Sequence, residues 1–68
     1  MIPTIVKNSV PKEYAITFLG NRNNTDYYNA IIPNRKVGFP IVITVKNGVI
    51  KLIEDFDAID IVSSFVKD

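Results

Sequence analysis

Asn47-Gly48 stands between two β-branched runs, and no other dipeptide in the chain narrows the fold as far. A tight two-residue hairpin needs positive φ at both central positions. Asn and Gly adopt it at least cost, and the twist of that turn matches the strands it joins. Ile41-Val42-Ile43-Thr44-Val45 before it and Val49 to Ile53 after it are therefore predicted to pair as antiparallel strands. In the first strand Ile41, Ile43 and Val45 line one face, whereas Val42, Thr44 and Lys46 form a mixed face that water can tolerate.

The chain has 68 residues, room for one domain over 1–68 and one modest core. Its 47% hydrophobic content supports a globular fold rather than disorder. It contains no cysteine and no histidine. Disulfide exchange needs a thiolate, so that chemistry is excluded, and Ser9, Ser63 and Ser64 have no imidazole to activate them. Glu54, Asp55, Asp57 and Asp60 cluster without the central glycine and distal glutamate of a calcium loop, so no metal is expected. At a net charge of +1 there is no strong field for nucleic acid or membrane. Arg22, Arg35 and Lys36 with Tyr27 and Tyr28 make only a small patch. The start Met1-Ile2-Pro3-Thr4 lacks the basic, apolar build of a signal peptide, and no run approaches the ~18 apolar residues of a membrane span. A cytoplasmic location is the expectation. On that footing the glycosylation triplet Asn23-Asn24-Thr25 is a chance match.

The rest of the chain reads as follows. Residues 2–7 are short and β-branched, which predicts a first strand with Pro3 at its beginning. Pro11 suits the first turn of a helix capped by Ser9, with Glu13 favourable to the helix dipole. Tyr14, Ala15, Phe18 and Leu19 then recur at helical spacing, and Gly20 or Asn21 ends the helix. Tyr14, Ile16 and Phe18 also fit a strand; the proline start and glycine stop favour helix. Residues 21–24 are a polar loop, 26–32 a strand, and 33–36 a turn. Asp57 can cap a last helix with Ile59, Val62, Phe65 and Val66 on one face. The predicted order is β-α-β-β-β-α.

Several short motifs in this order resemble the glutaredoxin and thioredoxin-like family. Thr4-Ile5-Val6-Lys7 looks like the family's first strand, and Ser9-Val10-Pro11-Lys12-Glu13 falls where its C-P-x-C signature stands. The proline is kept, while Val10 and Glu13 occupy the two cysteine positions. Val37-Gly38-Phe39-Pro40 looks like the loop that ends in the family's cis-proline. Asn47-Gly48 matches its hairpin, and Phe56-Asp57 resembles the Phe-Asp that precedes its last helix. The chain departs from the pattern in having only the turn 33–36 where the family has a helix, and in Glu54-Asp55 where it has paired glycines.

The resemblance implies an α/β, thioredoxin-like (glutaredoxin-type) fold with a mixed sheet and helices mainly on one face. It implies a substrate or partner groove built from Lys7, Val10, Pro11, Glu13, Gly38, Phe39, Pro40 and Asp57. Without the cysteines such a protein is redox-inactive and not an enzyme. The expected function is a protein-binding or accessory module, with a protein partner or a homodimer, no cofactor, no nucleic acid and no membrane. The alternative is a residual binder of glutathione or a similar small thiol peptide.

Overall fold

The computed structural model describes residues 2–34 and 40–66. Its elements are helix α1 (Thr4–Lys7), strands β1 (Ala15–Arg22), β2 (Thr25–Ile31), β3 (Ile41–Lys46) and β4 (Val49–Ile53), and helix α2 (Phe56–Val66). The strands form one antiparallel sheet in the order β1-β2-β3-β4. This is an α+β meander, not the mixed sheet of a thioredoxin-like fold. The hairpin of β3 and β4, the β2 strand and the last helix stand as the sequence predicts; the first two elements exchange types.

Residues 2–7 do not form a strand. Pro3 is extended (φ −60°, ψ 148°) and caps α1, and its carbonyl accepts from the N–H groups of both Val6 and Lys7 at 3.1 Å. β-branched residues favour a strand only where a sheet edge is there to pair with them; here this segment instead buries Val6 completely against the sheet. Ser9 ends this helix rather than capping the next one, its Oγ donating to the Val6 carbonyl at 2.6 Å. The predicted second element is likewise corrected. Pro11 opens a turn closed by Tyr14 N–H to Pro11 C=O at 3.0 Å, and Ala15 to Arg22 continue as β1. Alternation wins over the helical spacing because Ile16 and Phe18 gain cross-strand partners in Ala30 and Tyr28. The polar loop proves to be a two-residue hairpin turn, with Asn23 and Asn24 both at positive φ (53° and 63°).

The sheet separates two apolar layers. On one face Phe18, Tyr28, Ile43 and Leu52 stand directly opposite one another in a row across all four strands. Val6 from α1 closes over the middle of this layer with Tyr28, Ala30, Ile41 and Ile43. The other face carries α2. There the Phe65 ring lies 5.3 Å from the Tyr27 ring and 3.7 Å beneath the Arg22 guanidinium. Gly20, at a bulge in β1, makes room for it: a Cβ there would sit 2.8 Å from the edge of that ring. Helices therefore cover both faces, not mainly one. Val42, expected on a water-tolerant face, is fully buried on the α2 side, as is Ala58.

Two polar groups give measurable expectations. Burial, and then the Asp26 carboxylate, hold the Tyr28 hydroxyl above its ordinary value of 10.0. The folded protein keeps that proton where the unfolded chain has lost it. Its contribution to stability is whole below pH 10.0 and is lost as pH rises through the folded value. In urea titrations Tyr28→Phe should fall off less steeply than wild type above that pH; identical slopes would contradict this. Asn29, on the α2 face opposite Val42, has a buried Oδ1 with no hydrogen-bond partner among the described residues. Asn29→Val removes that desolvated oxygen and suits a strand, and should raise stability by about 1 kcal/mol.

Candidate functional site

Among the described residues a groove opens on each side of the sheet. The first lies at the chain's beginning, encloses about 470 Å³, and is lined by Ile2, Lys7, Asn8, Pro11, Lys12 and Tyr14 together with Ile16. It brings together two residues that the resemblance singled out, Lys7 and Pro11, and adds a second cation in Lys12. Val10 is half-buried against the core instead. Glu13 is exposed on the turn that leads into β1.

The remaining expected residues do not join them. Asp57 belongs to α2, which packs on the opposite face of the sheet from α1. It is not the helix cap either: its own N–H donates to Asp55 Oδ1 at 3.0 Å, so Asp55 performs that role. Pro40 precedes β3, while Gly38 and Phe39 lie outside the described residues. No cis peptide bond occurs among the described residues, and the Phe39–Pro40 bond begins outside them. With the thioredoxin-type sheet absent, the frame that would have gathered these positions into one groove is absent too.

The second groove was not foreseen. It lies between α2 and the β4 side of the sheet and encloses about 460 Å³. Its walls follow from strand alternation: Tyr27 on β2, Thr44 and Lys46 on β3, and Lys51 and Ile53 on β4 all point to the α2 face, and Ile61 contributes from the helix. Phe65 anchors α2 against Tyr27, Gly20 and Arg22, and the helix packs over β3 and β1, leaving the β4 side uncovered. Lys46, Lys51 and Val49 are exposed along that open margin. Neither lysine has an ion pair among the described residues. The signal was present in the sequence, since Thr44, Lys46 and Lys51 alternate with apolar residues across the predicted hairpin. Only the position of α2 turns that alternation into a cleft.

Among the described residues no group of three or more acidic side chains is placed to hold a metal ion, and no helix is long and apolar enough to cross a membrane. Comparison of the chain with protein-family models, with curated proteins and with solved structures finds no match.

Proposed function

We propose that this protein is a non-enzymatic protein-binding module that uses the α2-side groove to hold an extended segment of a partner. One observation carries this reading: an open cleft with an apolar floor (Tyr27, Ile53, Ile61) and two exposed lysines at its margin. That combination fits a short stretch of alternating apolar and acidic residues. The apolar side chains enter the cleft, and carboxylates meet Lys46 and Lys51. A redox cycle has no place in this reading, since the chain holds no thiol. The proposed place of action is the cytoplasm, to be checked by fractionation.

The test is selection of peptides from a random display library on the folded protein. Apolar–acidic sequences should be enriched, and they should lose at least ten-fold in affinity for Lys46→Glu/Lys51→Glu. Enriched sequences that bind the charge-reversed protein equally well would contradict the assignment.

A second reading places a small anionic thiol peptide such as glutathione in the first groove. It is favoured by Lys7 and Lys12 flanking Pro11 there, an arrangement that offers two cations to two carboxylates. Titration with reduced glutathione separates the two, because shifts would then centre on Lys7, Lys12 and Tyr14 and would vanish in Lys7→Ala/Lys12→Ala.

A further inference from the structure

We infer that two copies of this chain pair through β4, side by side and antiparallel, about a two-fold axis at Leu52. The sheet has two edges, β1 and β4. β1 is interrupted by the bulge between Phe18 and Gly20, a device that blunts an edge. β4 has no bulge in its register with β3. The two-residue turn makes Lys46 and Val49 a hydrogen-bonded pair, so Val49, Lys51 and Ile53 direct their backbone groups at β3. Ile50 and Leu52 therefore direct theirs outward. Among the described residues no backbone hydrogen bond reaches that outer edge.

A second copy completes this edge in one register better than in its neighbours. Centring the two-fold on Leu52 sets Leu52 opposite Leu52, where the outward-directed N–H and C=O groups of the two copies exchange hydrogen bonds, and brings Ile50 against Glu54, the first residue beyond β4. Centring on Lys51 would put two lysines directly opposite each other, which is repulsive. Centring on Ile53 would overlap fewer strand residues.

The apolar surface supports the same choice. Leu52 is the 44% exposed end of the row Phe18–Tyr28–Ile43–Leu52. The two-fold axis stands perpendicular to the sheet and keeps each face on its own side. The row therefore runs on into its own copy through an eight-stranded sheet, and the two α2-side grooves open on the same side. For a chain of 68 residues, whose small core buries a limited share of its surface, that added burial is a substantial gain.

The absence of cysteine from the chain makes the test clean. Sedimentation equilibrium of the wild-type protein should give twice the chain mass at high micromolar concentration. Single cysteines at Ile50, Lys51, Leu52 and Ile53 should then be oxidised under mild conditions. In the Leu52 register the two Leu52 Cα atoms lie about 5.5 Å apart, within disulfide range, whereas the two Ile50 positions are about 14 Å apart. Leu52→Cys should cross-link at least ten-fold faster than Ile50→Cys, and the difference should vanish in denaturant. A wild-type mass of one chain overturns the inference. So does a dimer whose cross-linking peaks at Lys51→Cys or Ile53→Cys, or at none of the four. A monomer that still binds the selected peptides would overturn the dimer and leave the groove assignment standing.

Discussion

Ile43→Ala should leave most of the protein unfolded at 25 °C. Ile43 is fully buried in the middle of β3, between Tyr28 on one side and Leu52 on the other, and Val6 of α1 packs in the same cluster. Truncating a buried isoleucine costs about 2–5 kcal/mol through lost transfer energy and the cavity left behind. A single small core of this size supplies only about 3–5 kcal/mol of net stability. The substitution removes a comparable amount. Far-UV circular dichroism at 25 °C should show loss of the strand signal, and one-dimensional NMR should show loss of dispersed methyl resonances. A cooperative urea transition with a near wild-type midpoint would show that Ile43 is not at the centre of the core.

Phe65→Ala should have the next largest effect, about 2–3 kcal/mol, and for a different reason. Phe65 joins α2 to the sheet through three neighbours: the Tyr27 ring, the Arg22 guanidinium and the bare backbone of Gly20. The guanidinium is itself held in place by Ser64, whose Oγ accepts from it at 2.7 Å. Losing the ring removes the anchor that fixes the tilt of α2, so the groove between the helix and β4 should lose its shape as well. Gly20→Ala tests the same contact from below. In the wild-type background its Cβ collides with the ring and should cost about 1–3 kcal/mol. In the Phe65→Ala background the collision is gone and the cost should fall, but not to zero, because Gly20 holds a φ of 155° that a residue with a Cβ rarely adopts. A double-mutant cycle from urea midpoints reads this coupling directly. Additive costs would mean that the ring does not occupy the space above Gly20.

The parts of the fold legible in the sequence are those fixed by local chemistry. Asn47-Gly48 reports its own turn, and the β-branched runs on either side have nowhere else to pair. The spacing of Ile59, Val62, Phe65 and Val66 reports a helix but not its inward side, which is Ala58, Ile61, Val62 and Phe65, with Ile59 and Val66 exposed. The parts that were not legible depend on partners distant in the chain. Thr4-Ile5-Val6-Lys7 has the composition of a strand, but strand composition stabilises a segment only beside another strand, and Val6 is better placed under a helical turn. Tyr14 to Leu19 carries both periodicities at once. What decides for the strand is the partners that β2 supplies, Ala30 opposite Ile16 and Tyr28 opposite Phe18. The site suffered from the same cause. Lys7 and Pro11 do share a groove, since they are neighbours in sequence, but Asp57 was linked to them only through a fold the chain does not adopt. The α2-side cleft draws on β2, β3, β4 and α2, and no local pattern announces such a convergence.

The measurement that bears most directly on the function is an amide NMR titration of the labelled protein with one apolar–acidic peptide from the selection. Saturable shifts should gather at Tyr27, Thr44, Lys46, Lys51 and Ile61 and leave Lys7, Lys12 and Tyr14 unmoved. Shifts gathered instead around Lys7 and Lys12 would place binding on the other face of the sheet and contradict the assignment of the α2-side groove.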